Sequence, residues 1–192
     1  SEYYLVKPSD FTGLKPKLTV KVGDKVQAGS SLFYDKENPT VTIASPVSGE
    51  VSEIRRGEKR KILSVVVKAD AEITYKEFSK AKATDITREQ IIEQMLAAGL
   101  WPFVRQRPFA VIANPADMPK SVFISAFDSA PLACDSDFVL HGMENEFQAG
   151  IDIVSKLTEG TTHLNLDGNS NSSSVFTSAK RVQINNVSGP HP

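Results

Sequence analysis

The sequence predicts two folding units of different class: an all-β unit of the flattened-barrel or sandwich kind, followed by an α/β unit built on a parallel sheet. Three observations lead there. Between Leu18 and Val67, short valine-rich alternating runs are separated by glycine turns. From Ser121 onward the pattern changes to strand, helix, strand, helix, strand, and the stretch Ala69 to Asp85 between the two is charged and weakly patterned. The expected organisation is a lead-in and β unit over 1–70, a linker over 71–86 and an α/β unit over 87–192, incomplete at its C-terminal end.

Taken in order, the lead-in carries Pro8, Gly13 and Pro16 as breakers, with Tyr3-Tyr4-Leu5-Val6 able to pair as an edge strand. Gly23-Asp24 sits between Val20, Val22 and Val26 and reads as a tight reversal. Ala28-Gly29 makes the next corner. Val47, Val51 and Ile54 surround Gly49, and Ile62 to Val67 closes the unit as a nearly continuous buried strand. Between Ile54 and Ile62, RRGEKRK forms a hairpin tip with Arg55, Arg56, Lys59, Arg60 and Lys61. Such a tip is ordinarily a solvated turn; the functional alternative is contact with an acidic partner or anionic lipid heads.

Thr87-Arg88-Glu89-Gln90 has capping-box spacing, with Ile91, Ile92, Met95 and Leu96 at helical spacing before Gly99 ends the helix. Next, LWPFVRQRPFAVIANP crowds Trp101, Phe103, Arg105, Arg107 and Phe109 around Pro102 and Pro108. Aromatics interleaved with arginines can stack on a planar ligand; the plainer reading is a loop packed on its own domain. Val122 to Ala126 reads as a short buried strand, and Phe138 to Leu157 as one helix with Phe138, Met143, Phe147, Ile151 and Val154 along a stripe. His163 to Leu166 is a second strand, Ser173 to Ala179 a short helix and Arg181 to Val187 a third strand. This order is half of a doubly wound, Rossmann-like sheet.

Ligands of such sheets sit beyond the carboxyl ends of the strands, which directs attention to the loop Phe127 to Asp137. That loop reads FDSAPLACDSD and holds no glycine, so the backbone approach that a pyrophosphate requires is missing. Asp128, Asp135 and Asp137 lack the spacing of a calcium loop, and helix capping by Asp135 or Asp137 is the favoured reading. Cys134 and His141 are too isolated for zinc and read as a buried thiol and a surface imidazole. No Ser, His and carboxylate arrangement with elbow spacing is present. No metal site and no catalytic residue are expected.

Composition sets the outer limits. With 192 residues, 40% of them apolar, and a formal charge of −1, the chain is an ordinary globular sequence with no net attraction for nucleic acid. Its single cysteine precludes an internal disulfide, which fits a reducing compartment. There is no run of eighteen apolar residues, so membrane association is expected to be peripheral, through a partner. The ending Ser-Gly-Pro-His-Pro closes no domain and is expected of a piece of a longer protein.

Two resemblances add to this reading. GD-x-V-x-x-G followed by SP-x-SG-x-V resembles the biotinyl/lipoyl-carrier fold, a barrel-sandwich hybrid. In true carriers a lysine at a hairpin tip bears the cofactor, and Lys36 stands near that place. Glu37-Asn38-Pro39 follows where carriers keep a short symmetric turn, so an exposed loop lysine is the favoured reading of Lys36.

The DK-x-x-P-x-V run, RRGEKRKILSVV, GLW-x-x-x-R-x-RPF, DS-x-PLA-x-D and the terminal SGPHP together resemble the NqrA component of the bacterial sodium-translocating NADH:quinone reductase over nearly the whole chain. That family is related to the C component of the Rnf electron-transport complex and to the NADH-binding flavoprotein of complex I. The resemblance implies a peripheral subunit on the cytoplasmic side of the bacterial inner membrane. It implies partners in the other subunits, and a complex that uses NADH, flavins, an iron-sulfur centre and quinone while exporting sodium. The flavoprotein relatives carry a glycine-rich flavin loop where this chain has Leu100-Trp101-Pro102-Phe103, and an acidic E-P turn where it has Asp128-Ser129-Ala130-Pro131. The expectation is therefore a scaffold without bound cofactor, inactive as an isolated piece. Trp101, Phe103, Arg105 and Arg107 form a candidate quinone lining. A lipoyl or biotin carrier and an Rnf-type flavoprotein stand as alternatives.

Overall fold

The computed structural model describes residues 2–79, 83–170 and 172–189. Its contacts divide the chain into two units, Ser1–Lys80 with Ile92–Asp117 and Ala81–Ile91 with Met118–Pro192.

In the first unit two antiparallel sheets surround one apolar core. The larger contains β1 (Tyr3–Val6), β3 (Lys25–Val26), β6 (Gly49–Arg56) and β7 (Ile62–Ala69), in the order β1-β7-β6-β3. As expected, Tyr3 to Val6 pairs at an edge, with Tyr3 opposite Lys68 and Val6 opposite Val65. The smaller sheet runs β2 (Pro16–Leu18), β4 (Ser31–Asp35), β5 (Thr42–Ala44). Val26, Leu32, Phe33, Ile43, Val47, Val51, Val65 and Val67 form the core. Leu32 and Phe33 are consecutive and both fully buried, which strict alternation would forbid. A register shift between Ser31 and Phe33 in the β4–β5 pairing permits it.

Both predicted corners are pinned by main-chain bonds. The Gly23 amide donates to the Val51 carbonyl at 2.8 Å, and the Val51 amide returns a bond to Asp24 at 2.9 Å. At the second corner the Gly29 amide donates to Ser45 at 2.8 Å, and the Ser45 amide to Ser30 at 2.8 Å. Two serines are buried in this region. Ser45 Oγ donates to the Val47 carbonyl at 2.7 Å, and Ser48 Oγ accepts the Thr74 amide at 2.9 Å, so neither hydroxyl loses hydrogen bonding on burial. The chain after β7 is hydrogen-bonded to the β unit: the Ala28 amide donates to Thr74, and the Lys76 amide to Ala28.

α1 (Arg88–Ala97) begins at the predicted capping box, formed in both directions. The Gln90 amide donates to Thr87 Oγ1 at 3.3 Å, while the Thr87 amide donates to Gln90 Oε1 at 3.0 Å. The helix ends at Gly99, where the Leu100 amide reaches back to the Met95 carbonyl at 2.8 Å and φ is +69°. A two-stranded hairpin, β8 (Arg105–Gln106) with β9 (Val111–Ile112), follows.

The second unit holds a parallel sheet of β10 (Val122–Ser125), β11 (Thr162–Asp167) and β12 (Gln183–Val187), in that order. Leu164, Leu166, Val175 and Phe176 form its core, with Phe147 meeting Phe176 edge-on at 5.1 Å. Three expectations are corrected here. The strand predicted at Val122 to Ala126 is not buried on both faces: β10 is an edge strand, and Phe123 is 65% exposed, stacked on His163 at 4.6 Å.

The helix predicted from Phe138 to Leu157 is broken into α2 (Ser136–Val139), α3 (Glu144–Val154) and a 3-10 turn over Ser155–Leu157. Gly142, at φ +75°, turns the chain between α2 and α3, which leaves Phe138 and Met143 exposed and restricts the apolar stripe to the C-terminal part. Cys134, read as a buried thiol, is exposed because it stands in the loop ahead of α2 and not on a packed element. The predicted short helix is present as α4 (Ser174–Thr177). Among the described residues no helix is long and apolar enough to cross a membrane.

Candidate functional site

The segment after α1 separates its aromatic residues by burial. Pro102 stands in the middle of a 3-10 turn over Trp101–Phe103, and this turn sends consecutive side chains in different directions. Trp101 is 3% exposed, with its indole Nε1–H donating to the Ala113 carbonyl at 2.7 Å; Pro102 is buried beside it. Phe103 is 69% exposed and meets Phe11 edge-on at 6.1 Å. Arg105 and Arg107 stand exposed on the β8–β9 hairpin, the second of them in a cis peptide bond with Pro108.

Phe103 lies on the wall of an open, mostly apolar cavity of about 540 Å³ within the first unit. Phe11, Tyr75, Phe78 and Leu100 share that wall, and Lys76 supplies its cation. The Lys76 ammonium lies 5.2 Å from the centre of the Phe78 ring. A volume of this size is within the range of roughly 300–1,000 Å³ typical of small-molecule sites. Of the four residues singled out from the sequence, Phe103 lines the cavity and Trp101, Arg105 and Arg107 do not. Phe11, Tyr75, Lys76 and Phe78 were not anticipated. The one signal in the sequence was the pair of large aromatics, Tyr75 and Phe78, in an otherwise charged stretch.

The lysine considered as a carrier site is exposed, just beyond the end of β4. Its neighbours fix the turn. Asp35 Oδ1 accepts the Lys15 amide at 3.2 Å and the Glu37 amide at 3.1 Å, the Lys36 amide donates to the Lys15 carbonyl, and Lys15 pairs with Glu37. The hydrogen bond that the Lys15 ammonium donates to the Glu37 carboxylate holds the ammonium above its usual pKa.

In the second unit the loop after β10 uses its carboxylates locally. Asp128 Oδ1 accepts the Ala130 amide at 2.9 Å, and Asp135 caps α2 by accepting the Asp137 and Phe138 amides at 3.0 and 3.2 Å, as its position predicts. Asp137 Oδ1 accepts the Ser173 amide at 2.8 Å. Among the described residues no three histidine, cysteine or carboxylate side chains are grouped so that they could hold a metal.

Comparison with known proteins matches two family models. Residues 1–70 match the NqrA N-terminal barrel-sandwich hybrid domain, and residues 86–192 match the NqrA second alpha/beta domain. Among curated relatives, the A component of the Na(+)-translocating NADH-quinone reductase of Yersinia pseudotuberculosis serotype O:1b (strain IP 31758) is 35% identical over 186 residues. The corresponding proteins of Vibrio campbellii (strain ATCC BAA-1116) and Histophilus somni (strain 2336) are 37% and 34% identical over 185 residues. Each alignment covers 95% of this chain and 41% of the relative, so the chain spans about two fifths of the length of these proteins.

Proposed function

The chain belongs to the NqrA family, and from that premise we propose that it serves as part of a peripheral subunit of a membrane redox pump in which NADH oxidation and quinone reduction drive sodium export. The observation that carries the proposal is the pair of domain matches, together with relatives named as the A component of a Na(+)-translocating NADH-quinone reductase over 95% of this chain. In this reading the subunit stands on the cytoplasmic side of the membrane, and flavins and the iron-sulfur centre belong to its partners.

Support for a cofactor-free role comes from side-chain bulk. A flavin phosphate needs bare backbone with amides turned toward it. The turn after α1 instead fills its space with buried Trp101 and Pro102, and the loop Phe127 to Asp137 has no glycine and uses Asp128 and Asp135 on its own amides. For quinone, the proposed contact is the cavity wall at Phe103. There Phe11 and Phe103 present flat apolar faces and Lys76 a donor, with Trp101 supporting the turn from behind and Arg105 and Arg107 on the adjoining hairpin.

The test is recovery of the full-length protein from detergent-solubilised membranes. NADH-driven quinone reduction that responds to sodium is expected to copurify with it. Recovery of the protein without that activity, from membranes that retain it, would refute the assignment.

A further inference from the structure

The hairpin tip between β6 and β7 is unlike the rest of the surface. Its seven residues, Arg55 to Lys61, carry five cations and one carboxylate, in a chain whose formal charge is −1. Arg55 is paired with Glu53 at 2.9 Å, and Arg56 donates to the Arg60 carbonyl at 3.2 Å, which draws the turn together. Lys59, Arg60 and Lys61 are exposed.

The backbone at the tip is also unusual. Lys59 and Arg60 adopt consecutive left-handed conformations, at φ +52° and +62°, where glycine or asparagine would be cheaper. Such outliers persist where the turn has a use that offsets them. Leu63 lies against Gly57 in the same tip and is 46% exposed. An exposed leucine next to a cluster of cations at a hairpin tip is the combination expected at a lipid interface, where the cations meet headgroups and the apolar side chain reaches the acyl boundary.

We propose that the β6–β7 tip is the surface through which this chain contacts anionic lipid headgroups. A protein partner with an acidic patch would satisfy the cations, and it would leave the exposure of Leu63 without a role. The inference takes from the proposed function only the peripheral position at a membrane. The two are separable, because lipid contact can fail while the protein still copurifies with its activity, and the reverse.

The experiment is flotation of the chain with vesicles of phosphatidylcholine alone or with phosphatidylglycerol added, at roughly 0.1 M and 1 M salt. Binding is expected on the anionic vesicles, lost at high salt. It should fall at least about tenfold in the combined Lys59→Gln, Arg60→Gln, Lys61→Gln variant, since each surface cation contributes severalfold. Leu63→Ser should lower vesicle binding while leaving retention on immobilised polyglutamate unchanged. Removing two exposed cations elsewhere, by Lys21→Gln with Lys120→Gln, should leave vesicle binding unchanged. Equal partition onto neutral and anionic vesicles would overturn the proposal. So would a combined variant that binds like the parent chain, or retention on polyglutamate without any vesicle preference. Should the combined variant fail to match the parent circular dichroism and melting curve, the salt series and Leu63→Ser carry the test.

Discussion

The indole of Trp101 joins two parts of the first unit, filling a buried site with its rings and tying the 3-10 turn to Ala113 through its N–H. Trp101→Phe keeps most of the bulk and leaves the Ala113 carbonyl without its donor. The expected loss is about 1–3 kcal/mol, against about 3–5 kcal/mol for Trp101→Ala, which also opens a cavity. Chemical denaturation of the two variants measures both, and equal small losses would show that the indole is not anchored as described. Gly99 belongs to the same arrangement: a Cβ there would stand 2.7 Å from Ala44 Cβ, in addition to the left-handed backbone. At this scale the sequence revealed the types of residue present but not their orientation. Trp101 and Phe103 looked equivalent, and only the 3-10 turn sends one into the core and leaves the other on the cavity wall.

Elements with local signals were legible, and those set by tertiary contact were not. Thr87 and Gln90 announced the start of α1, and Asp135 the start of α2, because a cap needs only residues close in sequence. The break between α2 and α3 was missed because the apolar spacing continues across His141-Gly142, while Gly142 in a left-handed conformation stops the helix. At the start of α1, Glu89 is held below its usual pKa of 4.5, first by its own backbone N–H and then by the Thr87 hydroxyl. A carboxyl depressed in the folded state adds stability that is present above 4.5 and lost as pH falls through the lower folded value. NMR titration should therefore find the Glu89 midpoint below 4.5, moving back toward it in Thr87→Ala; an unchanged midpoint would show that the hydroxyl does not act on the Glu89 carboxylate.

For the whole molecule, the chain forms two units of different class that interleave in sequence, each with its own apolar core. The class of each was readable from periodicity, since alternation with glycine turns and strand-helix alternation are long-range regularities of sequence. The cavity was not readable, because its wall draws on residues as distant as Phe11, Tyr75 and Phe103. The account of function depends on one physical claim, that packed side chains occupy the places where a flavin would need open backbone. The most direct measurement is the visible absorbance spectrum of this chain, produced in cells that make the rest of the complex and purified away from it. The account predicts a colourless protein with no flavin released on denaturation. A flavin band at one equivalent per chain, lost on unfolding, would contradict it.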